Sequence, residues 1–80
     1  MIIMNKKQEK ILDFIKNYIE DNQYPPSIRE IAKGTSIKST ATVHRHLKIL
    51  EELGYIEVDE HKMRGIRVLE WKEIIYWSKK

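Results

Sequence analysis

A chain of 80 residues makes one domain with one modest core, which excludes a large active-site cleft. Hydrophobic residues form 41% and charged residues 34% of it, with two Pro, three Gly and no Cys, so a disordered chain, a disulfide scaffold and a thiolate metal site are excluded. The net charge of +3 matters less than where the charges lie; no apolar run approaches the roughly 20 residues that span a bilayer, and MIIMNKKQ is too short for a signal-peptide core, so no membrane partner is expected.

The first helix opens at Asn5, whose side chain can cap the amide of Gln8 while Gln8 reaches back, the Asn-x-x-Gln form of a capping box. Ile11, Leu12, Ile15, Tyr18 and Ile19 follow at helical spacing. NQYPP stops the element, because residues before proline avoid helical angles. Ser27 starts the second helix with Glu30 as its capping-box partner, Ile28, Ile31 and Ala32 supply a short apolar face, and GTS is expected to break it.

The third helix begins at Ser39 as N-cap and ends where Gly54 supplies a left-handed terminus. Beyond it, YIEV and IRVL are two β-prone runs separated by DEHKMRG, long enough for a hairpin loop. Helix, helix, helix, hairpin is the order of a winged helix-turn-helix, a mainly α fold with a small two-stranded wing. Residues 1–69 form this domain. In residues 70–80, EWKEIIYWSKK is too aromatic for a flexible tether; it is read as packing against its own domain or as a homodimer contact, with disorder as the remaining alternative.

The stretch STATVHRHLKIL, Ser39 to Leu50, allows a metal site, a core helix or a reading helix. On a helix the side chains of His44 and His46 point about 200° apart and cannot share an ion, and no Cys is available, so neither a metal nor a cofactor is expected. A wheel at about 100° per residue puts Val43, Leu47 and Leu50 on one stripe and Ala41, Arg45 and Lys48 opposite, flanked by Thr42 and His44. His46 lies beside the core stripe and reads as a packed or hydrogen-bonded boundary residue. On the exposed face, Ala41 and the Thr42 methyl suit a thymine methyl, Arg45 a guanine edge, and His44 a base acceptor or a phosphate. For Ser39 and Thr40, capping and phosphate contact are both open.

Charge alternates along the second half of the chain. Arg29 to Lys48 holds five bases against Glu30, Ile49 to Glu60 five acids and no base, and His61 to Arg67 three bases and no acid. This pattern would set two segments on a polyanion and hold acids away, although solvated charge is the plainer reading. Lys62 and Arg64 fall at the wing tip, with Gly65 allowing a bend where the return strand begins. A basic hairpin tip lies on a phosphate backbone or in a minor groove.

YPPSIREIA, KSTATVHRHLKILEELGYI and RGIRVL, in that order and spacing, resemble the N-terminal DNA-binding domain of the LexA repressor family over about four fifths of the chain. The resemblance implies a winged helix-turn-helix that binds palindromic operators as a dimer and represses transcription in the SOS response, as a cytoplasmic, nucleoid-associated protein. Its base-reading positions match Ser39, Ala41, Thr42, His44 and Arg45. Contacts to the DNA backbone are expected from Ser27, Arg29, Lys38, Thr40, Lys48, Lys62 and Arg64. Where the family commonly has Gly in the turn, Ser36 stands here, with Gly34 two residues earlier. The family's self-cleaving protease segment has no counterpart in these residues: no Ala-Gly dipeptide occurs and Ser78 is the only serine after Ser39. Without clustered carboxylates, Cys or a glycine-rich phosphate loop, catalysis is not expected. An alternative function is a module that pairs with a larger regulator and modifies its operator choice.

Overall fold

A computed structural model of the chain describes residues 4–69. The aromatic segment 70–80, with its packing and dimer readings, lies outside the described residues. Three helices are followed by one hairpin: α1 (Lys6–Asn22), α2 (Ile28–Thr35), α3 (Thr40–Glu52), β1 (Ile56–Val58) and β2 (Ile66–Val68). The helix-helix-helix-hairpin order and the winged helix-turn-helix architecture are those expected.

Each helix starts where a side chain takes over an orphan amide. The Asn5 carboxamide accepts from the Gln8 amide at 2.9 Å and the Gln8 side chain accepts from the Asn5 amide at 3.1 Å. Ser27 and Glu30 repeat the box on α2, with bonds of 3.2 and 2.8 Å, and Ser39 caps α3 by accepting from the Thr42 amide. These partners lie three residues apart and satisfy donors that would otherwise face the domain unpaired.

The helix ends use one device, a residue in the left-handed region, but only one of the three is glycine. Gln23 (φ 67°) closes α1 through its amide to the Ile19 carbonyl, Ser36 (φ 61°) closes α2, and Gly54 (φ 88°) follows α3. At the ends of α2 and α3 the amide just past the left-handed residue reaches back as well, from Ile37 to Ala32 and from Tyr55 to Leu50, each at 3.0 Å, which is the paired-bond Schellman closure. The GTS stretch ends α2 as expected, with Ser36 as the cap and Gly34 still helical. Gly34 stays helical with the Phe14 ring against its Cα, where an added Cβ would come within 2.1 Å of the ring. Buried Thr35 also stays helical because its hydroxyl donates back to the Ile31 carbonyl at 2.6 Å.

The core gathers one stripe from each helix and one face of the hairpin: Ile11, Leu12 and Ile15 from α1, Ile31 and Ala32 from α2, Val43, Leu47 and Leu50 from α3, then Ile56, Ile66 and Val68. Tyr18 and Ile19, expected on the α1 stripe, are only half-buried. β1 and β2 pair antiparallel with Ile56 opposite Val68 and Val58 opposite Ile66, while the exposed Glu57 and Arg67 stand opposite each other and form an ion pair. The bond from the Asp59 amide to the Gly65 carbonyl (2.9 Å) continues the ladder into the loop. Gly65 is required there for close approach, since a Cβ would sit 2.3 Å from the Asp59 carbonyl oxygen.

His46 is the one titratable side chain of α3 turned partly inward. Its Nδ1 stands 3.4 Å from the Gln8 amide nitrogen. The Gln8 oxygen already accepts from Asn5, so the Gln8 NH2 donates and Nδ1 accepts, which requires that nitrogen to be unprotonated. Burial first, then the charges of Lys7 and Arg45, lower the imidazole pKa below its ordinary value of 6.5. His46 is thus the hydrogen-bonded boundary residue expected from the wheel.

Two predictions follow from this packing. Replacing Ser36 with Gly relieves left-handed strain at a position with no side-chain bond, and urea denaturation should show a gain of roughly 0.5 to 1 kcal/mol. For His46, a folded pKa below 6.5 means that the unfolded chain binds the extra proton, so stability is full above pH 6.5 and falls as pH drops through the folded value. His46→Gln should flatten that part of the stability–pH curve, and an unchanged curve would show that the imidazole contributes none of it.

Candidate nucleic-acid interface

The face of α3 away from the core begins with small side chains and ends with cations. Ser39, Thr40, Ala41, His44, Arg45 and Lys48 are exposed and Thr42 is half-buried. Ser39 spends its hydroxyl lone pair on the α3 cap, which leaves its O–H free to donate. Among the described residues no ion pair or side-chain hydrogen bond engages Ala41, His44, Arg45 or Lys48. The same holds for Arg29, Lys38 and Lys62. Side chains left charged and unpaired on one surface form a field suited to phosphate.

The wing folds toward this face. His44 and Lys48 line one open cleft together with Lys62 and Met63. A second groove brings Ser27, Ile28 and Arg29, at the start of α2, against the same Lys62 and Met63. The fold therefore joins three segments that are distant in sequence: the α2 N-terminus, His44 and Lys48 on the α3 face, and the wing tip. Lys38, Ser39, Thr40, Ala41, Thr42 and Arg45 line neither of these two clefts.

Acids line these clefts too, Glu60 in both and Glu51 and Asp59 in the first, but the last two are engaged in holding the wing. The Glu51 carboxylate accepts from the Val58 amide at 3.1 Å and Asp59 accepts from the His61 amide at 3.0 Å. Glu57 is paired with Arg67 across the strands. The acidic run from Glu51 to Asp59 thus serves the hairpin as much as it sets a charge boundary.

Arg64 departs from the expectation of a free wing-tip cation. Its guanidinium donates to both oxygens of Glu30, at 2.7 and 3.0 Å, and to the Pro25 carbonyl at 2.9 Å, with the Tyr18 hydroxyl at 3.4 Å. The Tyr24 ring lies 4.7 Å from the guanidinium carbon, a cation–π stack. Arg64 holds the Glu30 carboxyl down at about 2, helped by the Ser27 amide, and Glu30 in turn raises the Arg64 pKa. Both terminal nitrogens of Arg64 are engaged by the fold, so its geometry is that of a wing anchor. Glu30, the lone acid among the five bases from Arg29 to Lys48, is neutralised by the same pair.

Two residues of the site carried no signal in the sequence reading. Glu30 was legible as a capping partner, but its second bond crosses 34 positions to Arg64, beyond any local pattern. Met63, 84% exposed at the wing tip, is an apolar side chain displayed between the two clefts. Nothing in its position between Lys62 and Arg64 pointed to this place.

Comparison with known proteins agrees with this geometry. Residues 1–65 match the family model of the LexA DNA binding domain. The chain is 51% identical over 67 residues to the LexA repressor of Caldicellulosiruptor saccharolyticus, covering 84% of this chain and 33% of that protein. It is 47% identical over 70 residues to the LexA repressor of Acetivibrio thermocellus, covering 88% and 33%. Against the LexA repressor of Bacillus mycoides it is 48% identical over 66 residues, covering 82% and 32%. The chain thus spans about a third of the length of these relatives. A crystal structure of a hypothetical protein superposes with a TM-score of 0.62 at 25% identity, covering 98% of this chain and 26% of that one. The helix-turn-helix, its wing and the family match lead to one assignment: the chain belongs to the LexA DNA-binding domain family.

Proposed function

We propose that the chain is a sequence-specific double-stranded DNA-binding protein that represses transcription by occupying an operator. The observation that carries this reading is the exposed face of α3, whose small N-terminal side chains and unpaired cations lie beside a basic wing tip. No helix among the described residues is long and apolar enough to cross a membrane, and no cluster of three or more His, Asp or Glu stands ready for a metal.

In this mechanism α3 enters a major groove about 12 Å wide, where the small side chains of Ala41 and Thr42 let its N-terminal half approach the base edges. Arg45 bonds a guanine bidentately, His44 a base acceptor, and Ser39 donates from its free O–H. Ser27, Arg29, Lys38, Thr40, Lys48 and Lys62 fix the register on the phosphates, a role that adds affinity for any sequence. Occupancy is the whole of the regulatory act, with no chemical step.

A single winged domain covers one half-site, so the reading includes a palindromic operator bound by two copies. Joining two half-sites raises apparent affinity without new base contacts.

Selection from a random duplex library, followed by gel shift at two protein concentrations, tests site, symmetry and stoichiometry together. An inverted repeat bound by two chains is expected; recovery of unrelated sequences would reject sequence-specific repression. On the selected duplex, Arg45→Ala should cost about 1 to 3 kcal/mol and relax preference at one base pair, whereas Lys62→Ala should weaken selected and random duplexes alike and reduce the salt slope by about one unit. Equal losses for Arg45→Ala on both duplexes would remove it from the base-reading set.

A further inference from the structure

The wing loop, residues 59–65, has few ties to the helices. The Asp59 amide bonds Gly65, the His61 amide bonds the Asp59 side chain and the Lys62 amide bonds the Asp59 carbonyl, all inside the hairpin. Among the described residues every polar contact from this loop to the helical body is made by Arg64. Its partners come from three places: Tyr18 on α1, Pro25 and Tyr24 in the connection, and Glu30 on α2. Tyr18 and Tyr24 themselves meet edge to face at 5.8 Å. The receptor for the guanidinium is thus built from rigid parts.

Met63 and Lys62 immediately precede Arg64, so fixing one guanidinium fixes the direction of the tip. Successive Cα atoms stand about 3.8 Å apart, so the backbone of the tip stays close to the held Arg64 while the Lys62 and Met63 side chains remain exposed. Both clefts of the interface depend on where Lys62 and Met63 stand. Glu30 has two duties, since one of its oxygens accepts from the Ser27 amide as well as from Arg64. The start of α2 and the wing therefore share one carboxylate.

We infer that Arg64 and Glu30 are positioning residues for DNA binding: their bidentate pair holds the wing tip in its DNA-facing place before DNA arrives, so an acid at the rim of a phosphate-binding surface strengthens binding. The inference rests on the DNA-binding reading above. Its chemistry differs sharply from direct contact. Lys also binds phosphate, as a point charge, whereas the planar fork over two carboxylate oxygens and a tyrosine face requires Arg. Preorganised contacts bind more tightly because the ordering cost is met in the free protein.

The test uses the full 80-residue chain and a duplex that the wild type selects from a random library, titrated by fluorescence anisotropy at several salt concentrations. Arg64→Lys conserves charge and should weaken binding by about tenfold with an unchanged salt slope. Glu30→Gln keeps a capping-competent side chain, removes a negative charge, and should also weaken binding. The double variant should be no weaker than the poorer single one, because both remove the same pair. Arg64→Lys binding like the wild type, or Glu30→Gln binding more tightly, overturns the inference. Loss of helical circular dichroism at the assay temperature in Arg64→Lys would make Arg64 a folding residue and overturn it equally. A wild-type chain that selects no duplex overturns the functional reading and the inference with it, an outcome distinct from failure of the variants alone.

Discussion

The ion pair between Glu30 and Arg64 joins the two halves of the molecule. Glu30 sits in the first turn of α2, where it completes the cap begun by Ser27. Arg64 comes from the far side of the wing loop and bonds both of its oxygens. Both side chains are about 36% exposed, so the pair works at the surface, where isolated ion pairs add little to stability. Bidentate geometry, a backbone carbonyl and a tyrosine face give it direction, and direction is what a wing needs. The pair places two cationic segments on one surface while cancelling the only acid within the first.

Around this link the three helices repeat a single solution to their ends. Polar N-caps at Asn5, Ser27 and Ser39 receive amides, and left-handed residues at Gln23, Ser36 and Gly54 turn the chain away. The closure at Ser36 sends Ile37 back toward the core and brings α3 in at the orientation its Val43, Leu47 and Leu50 stripe needs. With that stripe buried, the opposite side of α3 faces outward by geometry alone. The exposed cations are a consequence of core packing before they are a device for binding.

What was legible in the sequence follows from the range of each interaction. Caps three residues apart, the α3 stripe and the β-prone runs are written in neighbouring letters, and the structure places them as read. GTS was read as the end of α2 and α2 ends within it, with Ser36 as the cap; what neighbouring letters do not tell is that Gly34 stays inside the helix, where its missing side chain serves contact with Phe14. Arg64 was placed by composition, as one more base in a basic loop. Nothing within a few positions tells that an acid 34 residues earlier waits for it. His46 was read correctly at its boundary, but the Gln8 partner that sets its proton-free nitrogen lies 38 positions away. The candidate DNA face is therefore the most sequence-legible part of the site, since helix periodicity defines it, and the orientation of the wing is the least.

The account turns on one claim: α3 and the wing tip form a single DNA-facing surface. An amide-resolved NMR titration of the isotope-labelled chain with its selected duplex measures this most directly. Chemical shifts and line widths should change along the Ser39 to Lys48 stretch, at Arg29 and through Lys62 and Met63 together, while Glu20, Asp21 and Glu52 stay unmoved. Perturbation centred on α1, or on α3 with the wing untouched, would contradict the account.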